Sequence, residues 1–276
     1  MIVIKKLIQA FLMFSVYYIL FIGVLYLFQE RLIFNPDTKK SDITAAQKIA
    51  PQMKEVHYYL PNGKKLYGWF LEPEKNNKVV IFYHGNSRNL ERNLNQLSYF
   101  KKQKVGVFMP EYEGFGGIEG PVSQGGFEQD AEAAILWLID KGYRAKDIII
   151  YGHSLGTYVA VHIAKFMAES QMPVSAVVLE APPYSIELIA KKRFLGLVPV
   201  SLLLKDKFLT FSKIKDIQAP LFIGHGKKDK VVPYEQGLKL FEVAKQEKTF
   251  FSSDLADHNS LPQNGFIDFV FDLLKK

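Results

Sequence analysis

The ten residues Ile148-Ile-Ile-Tyr-Gly-His-Ser-Leu-Gly-Thr157 constrain this chain more than any other stretch. A β-branched run from Asp147 enters Gly152-His153-Ser154-Leu155-Gly156, and Leu155, Val159, Ile163 and Phe166 then recur at helical spacing. The pattern is a strand, a sharp turn and a helix, the one setting in which G-x-S-x-G carries mechanical meaning. A turn this tight excludes bulky side chains at Gly152 and Gly156 and lifts the Ser154 hydroxyl off the sheet edge. It also aims the N-terminus of the next helix at that hydroxyl, where partial positive charge suits a developing oxyanion.

The flanking sequence keeps the same rhythm. Val56–Leu60, a Pro61-Asn-Gly63 turn and Lys65–Leu71 predict an antiparallel hairpin. Val79–Tyr83 reads as a buried strand ending in His84-Gly85-Asn86, with a helical stretch from Asn89 to Lys101 leading to strand Val105–Met109. Glu113–Gly120 is rich in glycine, but Glu119 stands where G-x-G-x-x-G needs its third glycine, so it reads as a loop. An amphipathic helix over Gly126–Lys141 precedes the Ser154 strand, and Ser175–Leu179, Pro220–Gly224 and Lys248–Ser252 are further strands. A helix over Phe266–Leu274 closes the chain. Strands alternating with helices predict right-handed crossovers and a mostly parallel sheet covered on both faces, with reactive groups collecting at the carboxyl ends of strands. The segment 184–213 breaks this rhythm and is apolar and basic together. It reads as a small helical cap over the site, its rival being a peripheral excursion with no substrate role.

Leu7–Phe28 contains 22 residues without a charge, bracketed by Lys5-Lys6 and Glu30-Arg31. At helical rise it covers about 33 Å, enough for a hydrocarbon core of about 30 Å. A cleaved signal peptide has a shorter apolar core, of about 7–15 residues, and a small-x-small site, which Phe28–Phe34 does not offer. Residues 1–30 are therefore expected to be a single-pass membrane anchor and 31–276 the catalytic domain. Lys5, Lys6 and the amino terminus nearly balance Arg31, Lys39 and Lys40 in the positive-inside count, and the short basic N-terminus tips the expectation toward a catalytic domain on the outer face. A formal net charge of +7 invites a nucleic-acid reading, but the cations are scattered and no nucleic-acid motif is present. A basic surface near anionic lipid head groups is one use of that charge, and ordinary solubility is the other. With no cysteine, disulfides, thiolate metal sites and a Cys nucleophile are excluded.

A serine hydroxyl needs a base to take its proton, and the imidazolium so formed needs an orienting carboxylate. Of six histidines, His57 lies in the hairpin. His84, His153 and His225 have turns to shape, and His162, two helical turns past Ser154, has packing to do. His258, in the loop after the last strand, is the expected base. Asp229, directly after strand Pro220–Gly224, is the expected acid, with Glu180, one strand earlier, its competitor. The order Ser154, Asp229, His258 is that of the nucleophile-elbow hydrolases. Asp257 is expected to point into solvent. The oxyanion donors are expected to be the backbone N–H groups of Leu155 and Asn86.

Together these pieces resemble the α/β-hydrolase superfamily, and within it the membrane-anchored serine hydrolases related to protein depalmitoylases and lysophospholipid or monoacylglycerol lipases. The resemblance rests on Phe28–Pro36, Tyr83–Asn86, Glu111-Tyr-Glu-Gly-Phe-Gly116, Gly152–Gly156, Gly226-Lys-Lys-Asp-Lys-Val-Val-Pro233 and Asp257-His-Asn259, in that order. It implies an eight-stranded α/β-hydrolase sheet and cleavage of a carboxylic ester or thioester, of an acyl lipid or acylated substrate at a membrane. It implies an acyl-enzyme route with no metal or organic cofactor. Arg88, where relatives usually carry smaller residues, is expected to narrow or charge the acyl approach. A peptidase of the same fold and a non-catalytic tethered binding module are the alternatives. An oligomeric state does not follow from the sequence.

Overall fold

The computed structural model describes residues 2–74 and 78–275; Met1 and Lys276, the outer ends of the two expected segments, lie outside them. An eight-stranded sheet forms the centre, built from β1 (Lys54–Tyr59), β2 (Lys65–Leu71), β3 (Val79–Tyr83), β4 (Gly106–Pro110), β5 (Ile148–His153), β6 (Ala176–Glu180), β7 (Leu221–Gly226) and β8 (Lys248–Ser253). Their order across the sheet is β8-β7-β6-β5-β3-β4-β2-β1. β1 runs antiparallel to β2 and β2 antiparallel to β4, and every other neighbouring pair is parallel. β3 through β7 are buried along their whole length. Their near-continuous Val/Ile/Phe runs are what a sheet covered on both faces requires.

The helices are α1 (Ile2–Ile33), α2 (Ile43–Ile49), α3 (Leu94–Lys102), α4 (Gln124–Asp140), α5 (Gly156–Glu169), α6 (Ile186–Arg193), α7 (Val200–Leu203), α8 (Thr210–Lys213), α9 (Tyr234–Val243) and α10 (Phe266–Leu274). The helix expected over Asn89–Lys101 starts late, because Leu90–Asn93 forms a 3₁₀ turn capped by the Asn89 side chain before α3 begins. Ser123 caps α4 through Gly126 N–H, and Ser185 caps α6 through Leu188 N–H, both at 3.0 Å.

The helix predicted over the apolar run extends further, to Ile33. Nearly all its side chains are exposed, and Gln29 is buried. Among the described residues it is the one helix long and apolar enough to cross a membrane, a test that a signal sequence near the N-terminus also passes. Directly after it, Asn35–Pro36 pairs in parallel with Ser87–Arg88. The Asn86 side-chain amide donates to the Ile33 carbonyl, so the turn after β3 is stitched to the end of α1. Segment 184–213 is helical in three short pieces, α6, α7 and α8, and α6 and α7 lie against the end of α1.

Candidate active site

The elbow is built by contacts that only glycine permits. Ser154 holds φ at 54°, in the left-handed region. A Cβ at Gly152 would fall 2.4 Å from the Gly156 carbonyl oxygen, and one at Gly156 would fall 2.1 Å from that of Tyr83. The Ser154 N–H donates to the Glu180 carbonyl at 2.9 Å, tying the turn to the neighbouring strand. α5 begins at Gly156 with Leu155 as its N-cap and no side-chain cap. Its first N–H groups therefore point toward the serine.

His258 arrives from the loop after β8. Its Nε2 lies 2.9 Å from Ser154 Oγ and its Nδ1 lies 2.7 Å from Asp229 Oδ2. Asp229 sits in the loop after β7, where Val231 and Val232 N–H groups each donate to its Oδ1 at 2.8 Å. Burial alone would raise the Asp229 carboxyl. Hydrogen bonds from His225, His258 and Val232 outweigh it and hold the group well below the usual carboxylate range.

The other histidines take separate places. His225 Nε2 lies 3.0 Å from the Val232 carbonyl and 3.3 Å from Asp229, bracing the acid loop. His153 Nε2 faces the His258 carbonyl at 3.1 Å. Burial and the neighbouring His258 push His153 down to about 3, so it braces that loop as a neutral ring. His162 contacts Glu132 on α4 at 2.7 Å, and His57 pairs with Glu55 in the β1–β2 hairpin. Glu180 accepts from the Tyr151 hydroxyl at 2.7 Å, away from His258, and burial pushes its carboxyl up to about 8. Asp257 accepts from Ser260 Oγ and Asn259 N–H within its own exposed loop.

Sequence reasoning missed Glu111. The His84 ring has Nε2 2.8 Å from Glu111 Oε1 and Nδ1 2.8 Å from the Gly85 carbonyl oxygen. Both side chains of the pair are fully buried. The second Glu111 oxygen accepts from Leu90 N–H at 3.1 Å and Ser41 Oγ at 3.3 Å. Holding the Gly85 carbonyl toward His84 turns the N–H of the same peptide, which belongs to Asn86, the opposite way. Glu111 was visible only as part of Glu111–Gly116, with no role attached.

The cleft at Ser154 is lined by Gly85, Asn86, Arg92, Asn95, Gln96 and Val231, among others. It is more polar than expected. Arg92 stands in it, whereas Arg88 is exposed and contributes nothing to its lining. No described residue of 184–213 lines the cleft either. Within that segment, Ala190, Phe194, Val198, Val200, Leu203 and Leu204 pack on the end of α1 instead, where their apolar side chains find an apolar partner.

Comparison with known proteins agrees with this architecture. The family model described as serine aminopeptidase, S33 matches residues 74–209. The uncharacterized protein YfhR of Salmonella typhi is 27% identical over 239 residues, covering 82% of this chain and 79% of that one. The lysophosphatidylserine lipase ABHD12 of Danio rerio is 28% identical over 190 residues, 64% of this chain and 50% of the relative's length. Among solved structures, the Pyrococcus furiosus esterase Pf2001 superposes with a TM-score of 0.69 at 20% identity, over 87% of this chain and 98% of that one. The chain has the α/β-hydrolase fold and is a serine hydrolase.

Proposed function

We propose that this chain is a membrane-anchored hydrolase that cleaves carboxylic esters or thioesters of acylated substrates through an acyl-enzyme intermediate. The observation that carries the reading is the unbroken hydrogen-bonded series Ser154–His258–Asp229 at the N-terminus of α5. Ser154 Oγ attacks the acyl carbonyl while His258 Nε2 takes its proton. Asp229, ionised and anchored by two backbone N–H groups, keeps the Nδ1 proton of His258 in place and stabilises the imidazolium. The N–H groups of Leu155 and Asn86 receive the oxyanion, the second oriented by the His84–Glu111 pair through the Gly85 peptide. His258 then returns the proton to the leaving alcohol or thiol, and water, activated by the same base, releases the acid.

The anchor in this reading is α1, with residues 31–276 as the catalytic domain on the outer face. The ester class draws support from the relatives, one of which is named a lysophosphatidylserine lipase and one an esterase. Arg92, the one Lys or Arg side chain lining the cleft among the described residues, favours an acyl substrate with an anionic leaving part. The description of the family model raises an amide alternative. Assaying the purified full-length protein against matched ester, thioester and aminoacyl-amide panels tests all three. Hydrolysis confined to the amides overturns the ester reading.

A further inference from the structure

The connection between β6 and β7 presents an unusual surface. Leu195, Leu197 and Leu202 are 83%, 74% and 86% exposed, three leucines within eight residues. Beyond α1, the other exposed large aliphatics, Leu136, Val231 and Leu255, stand singly. Scattered exposed leucines need no explanation, but a cluster on one short segment does. Lys191, Lys192 and Arg193, all exposed, immediately precede it.

This segment is fastened along α1. The Tyr18 hydroxyl donates to the Leu197 carbonyl at 2.8 Å. Gln29 donates to the Leu203 carbonyl at 3.2 Å and accepts from Lys205 N–H at 2.8 Å. Lys205 also lies 3.6 Å from Glu30 and over the Tyr26 ring. Between the two elements runs an apolar groove, with Leu25, Leu32 and Ile33 on one side and Phe194, Val198 and Leu203 on the other.

Tyr18 precedes Phe28, the last residue of the uncharged run, by ten positions. At about 1.5 Å of rise per residue the segment therefore reaches about 15 Å along the span, half of a hydrocarbon core of about 30 Å. At that depth polar groups find no water, and each must be satisfied within the protein. The Tyr18 hydroxyl and the Leu197 carbonyl satisfy one another. Phe194 N–H and Leu197 N–H donate to Ala190 and Phe194 carbonyls within the segment.

We propose that residues 194–204 form a lipid-embedded wedge that enters the same leaflet as the C-terminal half of α1. Acyl chains of the bilayer cover its exposed leucines and fill the groove against α1. Lys191, Lys192 and Arg193 meet anionic head groups, reaching them by the length of their side chains. The proposal rests on the reading of α1 as an anchor. It assigns the segment to the membrane and not to the lining of the Ser154 cleft.

The chain has no cysteine, so single-cysteine variants accept one fluorescent label. Full-length Leu197→Cys and Leu202→Cys proteins would carry an environment-sensitive dye in phosphatidylcholine–phosphatidylglycerol vesicles, with Leu20→Cys as the α1 control and Leu136→Cys as the domain control. Hydrolysis of p-nitrophenyl acetate by each labelled protein establishes that it is folded. Phosphatidylcholine spin-labelled in mid-chain is expected to quench positions 20 and 197 alike, position 202, adjacent to Leu203 and so level with Gln29 at the end of the span, less, and position 136 several-fold less than 197. Quenching at 20 alone overturns the wedge and leaves the anchor standing. No quenching at 20 overturns the anchor, and the wedge with it.

Discussion

Ser154 is held at φ 54° between two glycines whose replacement would drive a Cβ into backbone oxygens. Such a conformation costs on the order of 1–3 kcal/mol and persists because neighbouring strands over-determine it. Ser154→Ala keeps that backbone and loses only the hydroxyl. It is expected to lower kcat on the order of 10⁶-fold with an unchanged melting temperature, and to abolish labelling by a fluorophosphonate probe. Gly156→Ala should instead fail to give folded protein, since the displaced atoms are the Tyr83 and His84 carbonyls and not a flexible side chain; normal circular dichroism from that variant would refute the packing argument. Asp229→Asn should cost about 10⁴-fold in kcat through the wrong imidazole tautomer. Glu180→Gln should stay near wild type, and a crippled Glu180→Gln beside a mild Asp229→Asn would move the acid one strand earlier. Glu180 also sets a pH dependence of stability. Its carboxyl sits at about 8 in the fold against an ordinary 4.5. The folded state therefore holds a proton that the unfolded chain has released, and stability falls as pH rises from about 4.5 to about 8. Urea midpoints measured across that window should converge on the Glu180→Gln values at the acid end and fall below them at the alkaline end.

Among the elements, the junction of α1 with segment 194–205 decides where the chain can be cut. Gln29 is a residue of α1 by sequence, yet its buried amide bonds Leu203 and Lys205. A truncation that removes residues 2–24 loses the Tyr18–Leu197 hydrogen bond but keeps Gln29, and should retain p-nitrophenyl ester hydrolysis. One that removes residues 2–30 deletes two further hydrogen bonds of about 0.5–1.5 kcal/mol each and should melt roughly 2–12 °C below the form lacking 2–24. Equal melting temperatures for the two forms would show that Gln29 contributes nothing to the domain.

For the molecule as a whole, the proposed anchor rests on an apolar helix of 32 residues. The full-length chain should stay in the pellet after an alkaline carbonate wash, and the form lacking residues 2–24 should move to the supernatant. Recovery of the full-length chain in the supernatant, or a mature N-terminus near Phe34, would mean a cleaved signal in place of an anchor.

The local pattern of the sequence was enough to place the sheet, the elbow and the apolar helix, because each is encoded by spacing along the chain. Val and Ile runs mark buried parallel strands, glycines mark the turn at Ser154, and 22 uncharged residues mark a long apolar helix. The series Ser154, Asp229, His258 could be named in order because each follows a strand. Only the tertiary structure brought the three to hydrogen-bonding distance, paired Glu111 with His84, lined the cleft with Arg92, and laid segment 194–204 on α1 and away from the serine. Those contacts join residues from 27 to more than 170 positions apart. No periodicity reports such pairs, since what selects them is burial: a carboxylate, an imidazole or a carbonyl removed from water must find its partner wherever the fold brings one within reach.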